Sequence, residues 1–117
     1  MSNIPNAKPS PRIECGVLTW YEGDTFSLDL TLELTDADGA PVSVGEDDSV
    51  KVLFKNRKNA AVKEFAFSGA DVSGDTLRLT FDAAVSALFP AGGYTYDVYF
   101  ASSERSTVAK GNRVVVE

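Results

Sequence analysis

The sequence predicts an all-β sandwich, on three observations. First, residues 26–34 read FSLDLTLEL, where Phe26, Leu28, Leu30, Leu32 and Leu34 alternate with Ser27, Asp29, Thr31 and Glu33. Successive side chains of a strand point to opposite faces, so this run presents one apolar and one polar face; on a helix the same residues would scatter around the axis. Second, comparable runs follow, mostly starting about twelve to eighteen residues apart and separated by turn formers. Third, the chain has 117 residues, 44% hydrophobic and 24% charged, an ordinary globular mix in one domain large enough to bury a core. A single cysteine rules out an intrachain disulfide, so packing must supply the stability.

The elements follow in order. Residues 1–12, MSNIPNAKPSPR, hold three prolines and no apolar run, which predicts a flexible arm before a domain spanning 13–117. The arm lacks the continuous apolar core of a secretory signal. No stretch approaches the ~20 apolar residues of a membrane-spanning helix. Strands are predicted at 13–21 (IECGVLTWY), 26–34, 50–55 (VKVLFK), 62–67 (VKEFAF), 76–81 (TLRLTF), 94–100 (YTYDVYF) and 107–117 (TVAKGNRVVVE). The third and fourth pair through the turn NRKNAA, and SGADVSGD links the fourth to the fifth. The first strand would place Cys15 on the face of Val17, as a buried, inert thiol. Residues 83–89 break the β pattern: Asp82 reads as an N-cap and Pro90 as a stop, with Ala and Leu between them, so a short helix is expected there. The closing RVVVE is expected to leave an edge open to strand addition.

The stretch LFPAGGYTYDV sharpens the fold. Leu88 lies six residues before Tyr94, with Pro90 between, at the entry to a strand. This is the pattern of the tyrosine corner of immunoglobulin-like sandwiches, in which the hydroxyl bonds back to upstream backbone. The expected architecture is therefore an immunoglobulin-like β-sandwich of about seven antiparallel strands with one short helix near residues 83–89. An ordinary core tyrosine is the alternative for Tyr94.

Chemistry-bearing residues are sparse. Histidine is absent, so no Ser–His or Cys–His pair and no histidine-ligated zinc can form within one chain. No pair of acids sits in a recognisable glycosidase setting, and no catalytic residue or cofactor is assigned. The segment DADG suggests a calcium loop, with Asp36 and Asp38 at its first and third positions. Ala40 at the fifth position has no side-chain oxygen, Pro41 replaces the glycine at the sixth, and Asp47 replaces the glutamate at the twelfth. Asp-Gly between extended segments is a turn signal, so Gly39 and Pro41 are read as structural. Asp47 and Asp48 in GEDDS join Asp36 and Asp38 as weak metal candidates, with a solvated loop as the alternative.

Charge is distributed unevenly. The net charge is −6, which disfavours nucleic acid and anionic membrane as partners. Between Ile13 and Val50 stand ten acidic side chains and no basic one, then Lys51, Lys55, Arg57, Lys58 and Lys63 follow closely. One reading is solvated faces; the other is docking of an acidic surface on one copy against the basic hairpin of another, through Lys55, Arg57 and Lys58. Trp20 and Tyr21, at a strand end, are the aromatic candidates for a contact surface.

LTWYEGDTFSLDLTLELTDADGAPVSV, FPAGGYTYDVYF and VAKGNRVVVE together resemble a theme of phage tail and baseplate proteins. There a GDTF start, an alternating strand, a D-x-D-G-x-P-V turn and a VKVLFK-like strand precede a P-x-G-x-Y-x-Y-D-V strand and a G-x-x-V-x-V strand. The resemblance is to the amino-terminal immunoglobulin-like domains of siphophage upper baseplate proteins and to short prophage-encoded relatives, and it covers residues 13–117. It implies a non-enzymatic structural or adaptor role in a virion assembled in the bacterial cytoplasm. The implied partners are other virion proteins or copies of the chain itself, including a homo-oligomer. Members of the baseplate type continue into coiled or receptor-binding regions where this sequence ends at Glu117, so a free-standing virion protein or a domain cut at its edge is expected. A cell-surface or secreted module for carbohydrate or adhesion, and an accessory domain of a larger protein, are the alternatives.

Overall fold

The computed structural model describes residues 10–31, 38–40, 44–72, 76–101 and 106–117. The fold is all-β. Eight strands are present among these residues: β1 (Arg12–Glu14), β2 (Val17–Trp20), β3 (Phe26–Thr31), β4 (Ser49–Asn56), β5 (Ala61–Ser68), β6 (Thr76–Phe81), β7 (Gly92–Ala101) and β8 (Ser106–Val116). A 3-10 turn at Gly69–Asp71 follows β5, and one short helix, α1 (Ala83–Ser86), links β6 to β7. The larger sheet has the order β1-β2-β8-β7-β4-β5, and β3 with β6 forms the smaller. All pairings are antiparallel except that of β2 with β8, which is parallel.

Five expectations change. The predicted strand over 13–21 is a hairpin, with Glu14 opposite Val17 and a two-residue loop at Cys15 and Gly16. Both loop residues have positive φ, 51° and 78°, the backbone that matches the right-handed twist of a hairpin. Cys15 is therefore exposed at a turn rather than buried in a strand. The closing RVVVE lies in β8, which pairs with β7 on one side and β2 on the other, so it offers no edge. The pairing of β2 with β8 also makes the larger sheet mixed rather than wholly antiparallel. Arg12, assigned to the arm, already belongs to β1, and residues 1–9 lie outside the described residues. So do Leu32, Leu34, Asp36 and Pro41.

Local signals explain the other boundaries. Asp82 caps α1, its carboxylate accepting from the Val85 N–H at 2.9 Å; the helix expected over 83–89 spans only Ala83–Ser86, and turn bonds from the Leu88 and Phe89 N–H groups carry the chain on to Pro90. In β4 the alternation is strict: Val50, Val52 and Phe54 are fully buried, and Lys51, Leu53 and Lys55 take the outer face.

Aromatic rings join the two sheets. Phe26 of β3 stacks on Phe81 of β6 at 4.6 Å between centroids. The indole of Trp20 meets Phe81 at 5.1 Å, Phe26 at 5.3 Å and Phe89 at 5.5 Å. From the larger sheet, Phe54 reaches Phe89 at 5.5 Å and Phe81 at 5.7 Å. Edge-to-face pairs at such distances add about 0.5–1.5 kcal/mol each beyond the area they bury. Tyr94 enters β7 buried beside Phe89, and its hydroxyl donates to the Pro90 carbonyl at 2.6 Å. Burial, with Glu22 nearby, raises the pKa of that phenol.

Truncating Phe54 to alanine removes one ring that contacts rings of both layers and should cost about 3–5 kcal/mol in urea denaturation. Tyr94→Phe deletes only the bond to Pro90 and should cost about 1 kcal/mol. An unchanged urea midpoint for Tyr94→Phe would show that the corner bond adds nothing to stability.

Candidate functional site

The turn after β4 is built to project cations. The Asn56 side-chain oxygen accepts from the Lys58 N–H at 2.9 Å and the Ala60 N–H at 3.1 Å. Backbone bonds Asn56 N–H to Ala60 O and Asn59 N–H to Asn56 O close the loop, and Asn59 adopts a left-handed φ of 63°. Asparagine tolerates that conformation and bonds its own backbone readily, which is why this sequence turns here. Arg57 and Lys58 stand exposed at its tip.

The Arg57 guanidinium lies against Gly93 at the start of β7. A Cβ on Gly93 would sit 2.8 Å from Arg57 Nε and 3.1 Å from Nη2, so the missing side chain makes the seat for the arginine. Thr95 of β7 faces Arg113 of β8, and Gly93 faces Val115. Together these residues line an open groove bounded by Arg57 and Arg113, with Gly93, Thr95 and Val115 between them. A second depression continues it past Lys58, Ala91 and Gly92.

The electrostatics of this end differ from the rest. Arg12 is paired with Glu14 and Glu117, Arg78 with Asp29 at 2.9 Å, and Lys55 with Asp97 at 2.7 Å. Lys63 lies over the Phe65 ring. Arg57, Lys58 and Arg113 have no carboxylate within ion-pair distance among the described residues, and all three are exposed, Arg57 and Arg113 on the groove and Lys58 on the depression that continues it. Lys51 is also without an acid partner among the described residues but stands near the other end of β4.

Asp97 anchors the sheet beside the groove. It faces outward from β7 yet is only 4% exposed. It accepts from Lys55 Nζ, from the Gly111 N–H at 2.9 Å and from the Tyr99 hydroxyl at 3.4 Å. Gly111 has a φ of 75° and lies where the β7–β8 register shifts, so the carboxylate ties down the bulge. Burial alone would raise the Asp97 pKa; the bonds from Lys55, Gly111 and Tyr99 outweigh it, and the net shift is downward.

The sequence candidates separate into groups. Arg57 and Lys58 are on the groove. Lys55 is held by Asp97, so it is not a free interface cation. Trp20 has no exposed surface and belongs to the core, so it cannot contact a partner. Its indole N–H finds no acceptor among the described residues. Tyr21 is half-buried with the Arg12 guanidinium 5.5 Å above its ring. Asp38 and Gly39 are exposed, with Gly39 at a φ of 82°, while Asp36 and Pro41 fall outside the described residues. Asp47 is exposed, and Asp48 accepts from the Gly45 N–H at 2.7 Å. No group of three metal-ligating residues forms among the described residues. Sequence reasoning missed Gly93, Arg113 and Asp97. Only the register of β7 against β8 and β4 brings them to this face, although GG before YTYDV was a visible sign of close backbone approach.

No protein-family model, curated protein or solved structure matches the chain. No helix among the described residues is long and apolar enough to cross a membrane.

The Asp97 anchor has a pH signature. A carboxylate with a lowered folded pKa contributes stability above its unfolded value, about 3.9, and loses that contribution as pH falls through the folded value. Asp97→Asn should therefore melt lower than wild type at neutral pH, and the gap should narrow below about pH 4. A gap that stays constant down to acid denaturation would assign the loss to something other than the charge.

Proposed function

We propose that this chain is a non-enzymatic structural or adaptor module with an immunoglobulin-like sandwich fold, belonging to the tail or baseplate of a phage or prophage particle and working by binding other virion proteins or copies of itself. The observation that carries the reading is the placement of the motif segments. VKVLFK, FPAGGYTYDVYF and the closing GNRVVVE enter the neighbouring strands β4, β7 and β8, and one end of these strands carries the groove whose cations have no acid partner among the described residues. Three of the segments that carry the resemblance thus lie on adjacent strands, while the first, LTWYEGDTFSLDL, runs through β2 and β3.

The fold reading rests on topology. Strands β4, β7 and β8 are adjacent as the third, sixth and seventh strands are in immunoglobulin sheets, and β3 pairs with β6 as the second pairs with the fifth. The Tyr94 hydroxyl bond to Pro90 is the corner expected at the start of the sixth strand. Two features depart from antibody domains. The chain has no disulfide, and its buried tryptophan comes from β2 rather than from the third immunoglobulin strand. An aromatic sugar-binding platform finds little support, because Trp20, Tyr94 and Tyr96 pack on the core side.

Particles released on prophage induction from the source strain, purified and analysed by mass spectrometry, should contain the chain in constant proportion to tail proteins. Its absence from particles while the protein is abundant in the lysate would contradict the virion role.

A further inference from the structure

We infer that the groove between Arg57 and Arg113 receives the acidic turn at Glu46, Asp47 and Asp48 of a second copy, in a head-to-tail contact. This rests on the assembly role proposed above and names its partner and site. The chain is acidic overall, at −6, yet Arg57 and Arg113 flank one groove and Lys58 lines the adjoining depression, none of them with a carboxylate in ion-pair distance among the described residues; the Glu22 carboxylate, which borders that depression, accepts from the Ala91 N–H at 3.1 Å. Like charges held together repel, and an incoming acidic group relieves that repulsion.

Position makes the contact intermolecular. The acidic turn precedes β4 and the basic turn follows it, so the eight residues of the strand separate them. At about 3.3 Å per residue that is roughly 26 Å, and a chain cannot bring its own turn to its own groove.

Both partners are preformed. Gly69 donates to the Asp48 carbonyl at 2.7 Å, and a Cβ on Gly69 would lie 1.6 Å from the Gly45 carbonyl oxygen, so the acidic turn is pressed onto the chain beyond β5. Asp48 closes the turn through the Gly45 N–H, leaving Glu46 and Asp47 exposed at its tip. On the other side, Asn56 holds the turn of Arg57 and Lys58, and Gly93 seats the arginine. Surfaces ordered before contact lose little entropy on binding. Because the two patches differ, the contact is heterologous and propagates into a ring or a filament.

Sedimentation velocity over a concentration series tests this, at about 0.01 M and about 1 M salt. Wild type should associate at low salt and dissociate at high salt. Glu46→Gln with Asp47→Asn removes the turn's charge; Arg57→Gln with Lys58→Gln removes most of the groove's. All four residues are exposed, so folding is preserved, and each double variant should weaken self-association at least about tenfold. An equimolar mixture of the two retains one good groove and one good turn, and should stop at a 1:1 pair. A wild type that stays monomeric at low salt, or association that both variants leave unchanged, overturns the inference. A monomeric chain still found in purified particles would overturn this contact and leave the adaptor role. A self-associating chain absent from particles would do the reverse.

Discussion

Phe54 holds the two layers of this molecule together. Its ring meets Trp20, Phe81 and Phe89, so it ties the larger sheet to β6 and to the segment after α1. Because alternation is strict in β4, an inward Phe54 forces Lys55 outward and delivers Asn56 to the end of the strand. A slip of one residue would bury Lys55 and expose the ring. The same register places Lys55 beside Asp97 and brings the Asn56 turn level with Gly93. Packing in the core thus sets the geometry of the groove.

Asp97 extends that control to β8. It accepts from Gly111 at the bulge and from Lys55, and so couples three adjacent strands on the solvent face. Arg113 lies two residues past Gly111 and takes its position against Thr95 from that register. Neutralising Lys55 within the sheet leaves Arg57, Lys58 and Arg113 as the cations presented at this end among the described residues. Their counterpart, the turn at residues 45–48, is pinned by Gly69 at the far end of the same strand. The head-to-tail contact proposed above would draw on these two ends, and salt would screen it.

Strand existence was largely legible in the sequence, because period-two alternation is a local signal. The runs at 26–34, 50–55, 62–67, 76–81 and 94–100 each overlap a strand, and Asp82 with Pro90 marked the short helix. The hairpin at Cys15–Gly16 was not legible, since Cys is no common left-handed residue and IECGVLTWY reads as one apolar run. Strand order was hidden too: the parallel pairing of β2 with β8 joins residues almost a chain length apart and makes RVVVE an inner strand. Arg57 and Lys58 announced themselves as a basic turn. Gly93 and Arg113 could not, because their nearness to that turn is a consequence of register alone. Trp20 misled, since an aromatic at a strand end looks the same in sequence whether it faces solvent or core.

The most direct measurement is the set of backbone amide chemical shifts recorded as the protein is concentrated at low salt. The account predicts concentration-dependent shifts in two separate patches, residues 45–48 at one end and residues 57–58, 92–95 and 113–115 at the other, which disappear together when salt is raised. Shifts confined to β5 or to the Cys15 turn, or none at all, would contradict it.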